Sequence, residues 1–216
     1  MKKTILLIAA VISLTGNAIA QDGDNDSRGR LMFGLKGGAN YSNVYDEQGE
    51  AFRADPKVGA AVGAFASIPL GKFFGIQPEV LFSQKGFKAT GVILGSTYKF
   101  TRTTNYIDVP LLFAVKPVPF LSIVAGPQYS YLISQKDVFA NASTSIAQEQ
   151  EFETDNIRKN TLCLTGGIDV NVNHFTFGAR AGWDVQNNNG DGTVTTPRYK
   201  NVWYQATIGY RFFSNN

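Results

Sequence analysis

Residues Phe175 to Gln186 read FTFGARAGWDVQ, and they alternate between two chemistries. Phe175, Phe177, Ala179, Ala181, Trp183 and Val185 fall on one face of an extended strand, and Thr176, Gly178, Arg180, Gly182, Asp184 and Gln186 on the other, because successive side chains of a strand point to opposite sides. The apolar face of such a strand belongs either to the core of a soluble sandwich or to the lipid-facing outside of a barrel. The segments around it decide between the two.

Eight segments of this kind follow one another from Leu31 onward, each with the two-residue period of a half-buried strand. The first, Leu31 to Val44, turns Leu31, Phe33, Leu35, Ala39 and Tyr41 outward and Lys36, Asn40 and Ser42 inward. The second spans Lys57 to Leu70, and the third, Gly75 to Lys88, opposes Ile76, Val80 and Phe82 to Gln77, Glu79, Ser83 and Lys85. The fourth, about Tyr98 to Val115, has a polar first half and carries Asp108 inward; the fifth is Leu121 to Ser134. The sixth, Ile157 to Val172, carries Asp169 inward, the seventh is the quoted stretch, and the eighth, Lys200 to Phe213, carries Arg211 inward.

The connections alternate in length. Long ones lie at Tyr45 to Pro56, Ala89 to Thr97, Gln135 to Asn156 and Asn187 to Tyr199, and short ones at Gly71 to Phe74, Lys116 to Phe120 and Asn173 to His174. Outer-membrane barrels sort their connections in this way, with short turns on the periplasmic side and long loops outside, and an even strand number returns both ends to the periplasm. A soluble Greek-key sandwich has no cause to do so. Aromatic placement agrees: Phe175 and Trp183 are eight residues apart on one face, roughly 26 Å along the strand and about 20 Å in height at a ~40° tilt, close to the separation of the two aromatic girdles. Tyr204, Tyr210 and Phe212 also fall near strand ends on the outward face. The pattern predicts an all-β chain folded as an eight-stranded antiparallel up-and-down transmembrane β-barrel over residues 31–213.

The N-terminus agrees with export. Lys2 and Lys3, the apolar run Ile5 to Leu14 and Ala18-Ile19-Ala20 form a signal peptide over residues 1–20, with cleavage expected between Ala20 and Gln21. Residues 21–30, QDGDNDSRGR, read as a flexible polar tail. The spacing of Asp22, Asp24 and Asp26 matches the start of a calcium loop, but Ser27 stands where the loop needs glycine and Phe33 where it needs a bidentate glutamate. The full chain has 20 Lys+Arg and 17 Asp+Glu, a formal +3; loss of Lys2 and Lys3 leaves 18 against 17, or +1, which argues against a nucleic-acid partner. One cysteine, Cys163, forms no internal disulfide.

The stretches FGLKGGANYSNV, IQPEVLFSQKGFK, YIDVPLLFAVK, AGPQYSYLIS, LTGGIDV and ARAGWDVQN, in that order, resemble the PorT-like small outer-membrane β-barrel family of Bacteroidota over nearly all of Leu31 to Phe213. The resemblance implies a Gram-negative outer-membrane location and, through the family's namesake, a link to protein secretion by the type IX pathway; it supplies no catalytic residues. Barrels of this kind usually end on an aromatic residue read by the insertion machinery, a part that Phe213 plays here, with Ser214 to Asn216 as an overhang.

An eight-stranded barrel is just wide enough to be filled by its own side chains. The inward set is Lys36, Glu79, Lys85, Asp108, Asp169, Arg180, Asp184 and Arg211, four positive and four negative, and mixed signs in a narrow lumen favour a paired, hydrogen-bonded plug over an ion pathway lined by one sign. Enzymatic readings lack material. The single histidine, His174, sits in the shortest turn, Cys163 has no histidine partner, and NNNGDG at Asn187 to Gly192 is ordinary turn chemistry, so neither a metal, a cofactor nor a nucleophile with its base is expected. Recognition, if any, is expected in the longest loop, Lys136 to Asn156, facing an extracellular or secretion-system partner. The leading expectation is a non-enzymatic outer-membrane protein with a structural, scaffolding or interaction role, its other partners being membrane lipid and the insertion machinery. A small-solute channel and a soluble lipocalin-like periplasmic barrel are the alternatives.

Overall fold

Eight strands close on themselves. The computed structural model describes residues 26–45, 53–93, 96–141, 145–149, 157–188 and 199–212. The strands are β1 (Met32–Tyr45), β2 (Arg53–Pro69), β3 (Phe74–Ile93), β4 (Ser96–Val118), β5 (Leu121–Asn141), a short β6 (Ser145–Glu149), β7 (Asn160–Val172), β8 (Phe175–Asp184) and β9 (Lys200–Phe212). All pairs are antiparallel, in the order β4-β3-β2-β1-β9-β8-β7-β5, and the β4–β5 pairing closes the ring; β6 hangs on β5 outside it. The seam between first and last strand runs from Phe33↔Phe212 to Tyr45↔Lys200. Closure leaves no open sheet edge in the ring, which is the condition for strands to cross a bilayer.

The quoted stretch now has surroundings. On β8, Phe175 is 50% exposed and Trp183 48%, whereas Arg180 is 6% and Asp184 4% exposed. The whole barrel is inverted in this sense: Phe33, Leu35, Tyr41, Val62, Val80, Leu111, Ile123 and Ile208 are exposed, while Lys36, Asn40, Glu79, Lys85, Asp108 and Arg211 are buried. A water-soluble fold would not expose so continuous an apolar belt, and a lipid-embedded barrel requires it.

One end of the barrel is made of tight connections, residues 70–73, 119–120 and 173–174. Asn173 takes a left-handed backbone (φ 49°) in the two-residue turn before β8, a conformation that asparagine tolerates better than most residues. The opposite end departs from the sequence expectation. Strand β3 continues to Ile93 and β4 starts at Ser96, so the loop expected from Ala89 to Thr97 is almost entirely hairpin; β2 starts at Arg53; and β5 runs to Asn141 with β6 paired back on Lys136 to Ala140, inside the loop expected from Gln135 to Asn156. These extensions carry Arg53, Asp55, Thr90, Gly91, Lys136 and Asp137, polar or small residues that read as loop, although Ala89 and Gln135 stay buried and Phe87, Ala89 and Tyr199 form an apolar cluster at this end. Conversely, β7 starts at Asn160 and β8 ends at Asp184, three and two residues inside the expected limits.

Of the expected polar tail, Asp26 to Arg30 carries a 3-10 turn at Ser27–Gly29 and packs across the short-turn end of the barrel. The expected signal peptide, residues 21–25, the glycine-containing part of NNNGDG and residues 213–216 lie outside the described residues.

Candidate functional site in the barrel lumen

The inward faces of the eight strands meet on the barrel axis and interlock in successive levels. Nearest the short-turn end, the Arg28 guanidinium donates to the Lys116 and Pro117 carbonyls (3.5 and 3.2 Å), sits 5.2 Å over the Phe73 ring and pairs with Asp26 at 2.6 Å. Hydrogen bonds from Arg28 hold the Asp26 carboxyl well below the usual carboxylate range, and Lys72 lies 3.4 Å from it. Lys116 Nζ donates to Ser67 Oγ at 3.0 Å and to the Arg28 carbonyl at 3.4 Å. Arg211 donates to the Asn173 carbonyl and to Met32 Sδ at 3.7 Å.

The next level is a tetrad with no net charge. Asp169 pairs with Arg180 at 2.7 Å; Arg180 lies 3.7 Å from Glu79; Glu79 in turn is ion-paired with Lys36. Gln77 bridges the two acids, donating to Glu79 Oε1 at 2.9 Å and to Asp169 Oδ2 at 3.1 Å. The Lys36 ammonium is also 5.5 Å from the centre of the Phe65 ring, which fits because residue 34 is glycine: a Cβ there would stand 2.5 Å from that ring. Above it, Asn40 donates to Ser83 Oγ at 2.8 Å and accepts from Gln205 at 2.9 Å.

The following level centres on Lys85. It pairs with Asp108 at 3.0 Å, and its ammonium lies 3.7 Å from the centre of the Trp203 ring and 4.9 Å from that of Tyr106. Ser130 donates to Asp108 at 2.6 Å, Cys163 to Asp184 at 3.1 Å, and Asn201 to Asp184 at 2.5 Å. Trp203 fills the section opposite Gly182, whose missing Cβ would stand 2.4 Å from the indole. At the long-loop end Arg102 forks onto Asp137 (2.8 and 2.7 Å) and donates to the Tyr199 hydroxyl at 2.8 Å, and Phe87 packs edge-on against Tyr199 at 5.4 Å.

Of the eight inward charges expected from sequence, Lys36, Glu79, Asp169 and Arg180 thus form one group, Lys85, Asp108 and Asp184 a second, and Arg211 stands apart at the mouth. The five expected interface aromatics all lie on the outer surface. Phe175, Tyr210 and Phe212 cluster at the short-turn end, where Tyr210 meets Phe175 at 5.7 Å and Phe212 at 5.4 Å and stacks on His174; Trp183 and Tyr204 lie higher. His174 Nδ1 is 3.1 Å from the Arg211 carbonyl oxygen. Sequence reasoning placed Asn40 and Gln77 on the inward face but outside the charged network, and it did not single out Trp203 or Lys116. Strand parity places Trp203 inside, but an aromatic residue lacks the charge that marks the other lumenal positions, and Lys116 lies at a strand end, outside the expected fourth strand.

A family model described as outer membrane protein beta-barrel domain matches residues 19–187. The chain belongs to that family. The protein is therefore an integral outer-membrane β-barrel, with its short-turn end toward the periplasm by the general sorting of loops in such barrels. No curated protein matches the chain by sequence. Among solved structures it is similar to Ail, the attachment invasion locus protein of Yersinia pestis, at 14% identity over 84% of this chain and 98% of that one, with a TM-score of 0.48. It is similar to Neisserial surface protein A at 9% identity (83% and 97% covered, TM-score 0.44), and to OprG of Pseudomonas aeruginosa at 14% (88% and 100% covered, TM-score 0.40).

Proposed function

We propose that this outer-membrane barrel is a closed, non-enzymatic protein that works through its surface, as a structural or interaction component and not as a channel. The observation that carries the reading is the lumen filled from end to end: Arg28 with Lys116, the Lys36–Glu79–Arg180–Asp169 tetrad, Lys85 with Asp108 under Trp203, and Arg102 with Asp137 and Tyr199. The tetrad, Lys85 with Asp108 and Arg102 with Asp137 each join opposite charges, so a permeating ion would have to displace matched pairs in succession. The non-enzymatic part draws support from His174, spent between the Arg211 carbonyl and the Tyr210 ring, and from Cys163, buried against Ser130 and Asp184 with no imidazole beside it.

The extended β3–β4 hairpin and the β5–β6 hairpin stand beyond the apolar belt and supply the surface that a partner would meet. Resemblance to PorT-like barrels points to a component of protein secretion as that partner. Planar-bilayer recording of the purified barrel tests the reading. No discrete openings are expected; stable openings would overturn it in favour of a small-solute channel.

A further inference from the structure

Residues 26–30 belong to no strand, yet they lie across the periplasmic mouth. Their 3-10 turn at Ser27–Gly29 buries Arg28, while Gly29 and Arg30 are exposed. The hold on the barrel is reciprocal. The Arg28 guanidinium donates to the Lys116 and Pro117 carbonyls at the end of β4, and the Lys116 ammonium donates back to the Arg28 carbonyl at 3.4 Å. A second hold lies on the turn between β2 and β3, where the Phe73 ring faces the guanidinium at 5.2 Å and Lys72 stands 3.4 Å from Asp26. The two holds share one platform, since the Lys116 amide donates to the Phe73 carbonyl at 2.7 Å. Behind Arg28 is a cavity of about 20 Å³, walled by the buried Ser67, Ser122 and Thr176 and reaching Gln77 and Asp169 at the level of the tetrad.

We propose that residues 26–30 are a releasable strap that closes the periplasmic mouth over this cavity, with Arg28 as its anchor. Release unpairs no strand: the first ladder partners of β1 are Met32↔Ser67 on β2 and Phe33↔Phe212 on β9, and both lie past the strap. Nor does release strip a charge of its partner. Arg28 keeps Asp26, two residues away at 2.6 Å, and Lys116 exchanges one carbonyl for water while Ser67 stays at 3.0 Å. Parting the tetrad, by contrast, separates Arg180 from Asp169 and Lys36 from Glu79, both buried pairs. The strap therefore opens far more easily than the level above it, because its hydrogen bonds to backbone carbonyls are ones that water can replace. Its release turns a covered cavity into a vestibule in which Gln77 and Asp169 meet periplasmic water. The seal acts on the periplasmic side alone, so its test and the conductance test fail separately.

The test is the rate at which a water-soluble methanethiosulfonate reagent labels a thiol in the cavity, on the barrel purified in detergent micelles. Ser122→Cys combined with Cys163→Ser supplies that reporter, and the native Cys163, 0% exposed above the tetrad, is the control in a chain with Ser122 unchanged. With the strap in place both thiols are expected to label slowly. Deletion of residues 21–30, and separately Arg28→Ala in the full chain, are expected to speed labelling at position 122 by about tenfold or more, because loss of charge-assisted hydrogen bonds raises the open fraction of the mouth. Labelling of Cys163 stays unchanged. Equal rates at position 122 with and without the strap would overturn the proposal, as would rapid labelling there in the intact chain. A matching rise at Cys163 would overturn it too, since residues 26–30 would then stabilise the whole barrel and not cover its mouth. Should the deleted chain fail to fold, Arg28→Ala still decides.

Discussion

Lys85 and Trp203 show how a single cation is kept inside a lipid-embedded barrel. The ammonium has Asp108 on one side and the indole face on the other, and Gly182 is the residue that leaves the indole its place. Gly182→Val is therefore expected to overpack the section and cost about 1–3 kcal/mol, read as a lower midpoint in urea unfolding into lipid vesicles. Lys85→Met leaves Asp108 and Asp184 without their cation and is expected to cost about 3–5 kcal/mol, whereas Lys85→Met combined with Asp108→Leu recovers part of the loss, because removing a buried pair together is cheaper than removing one partner. A double variant no more stable than Lys85→Met alone would show that Asp184, not Asp108, sets the cost. Most of the inward charges could be named from strand parity, since a charged residue amid alternating apolar ones stands out. Trp203 shares that parity, but its role as a lid on Lys85 is legible only once Gly182 is known to be its neighbour across the β8–β9 pairing.

At the scale of strands, the sequence is legible where a strand has two different surroundings. Strand β8 has lipid on one side and the packed lumen on the other, and its burial alternates accordingly. The outer parts of β3 and β5 carry polar or small residues on their outward side beyond the lipid, so Thr90, Gly91 and Lys136 look like loop residues although they are paired across the sheet. The lipid-facing side of β8 also fixes a depth scale. Ala179 lies between Phe175 and Trp183, at the middle of the apolar band, and Val185 lies just past the end of the strand. Ala179→Arg is expected to cost about 2–4 kcal/mol and Val185→Arg about 0–1 kcal/mol in the same unfolding measurement, following the depth dependence of charge on the lipid face. Equal costs at the two positions would mean that the band is not centred where the aromatic residues place it. The β5–β6 hairpin stands outside this scale, because among the described residues β6 pairs with β5 alone; removal of residues 141–153 is expected to leave a heat-modifiable, folded barrel and to abolish binding of whatever partner the outer surface takes.

For the molecule as a whole, closure at several levels has a consequence that a single constriction would not. The tetrad is neutral, with Lys36 and Arg180 against Glu79 and Asp169, yet it is flanked by Lys85 with Trp203 above and by Arg28 with Lys116 below. Replacing Arg180 and Asp169 together by alanine removes opposite charges in step, so no buried charge is left behind from that pair, and it opens a polar gap at one level only. The gap is expected to fill with water and remain sealed at both ends, so the double variant stays silent in planar bilayers like the wild type, while its unfolding midpoint falls because the arginine's packing and its bond to the Ile168 carbonyl (3.0 Å) are lost. Discrete openings in the double variant alone would place the whole barrier at the tetrad. In that case the flanking levels would have to part readily, and the mouth formed by Arg28, Lys116 and Arg211 would act as the vestibule of a gated pore. Silence in both proteins, joined to the expected loss of stability, is what a lumen packed along its full length requires.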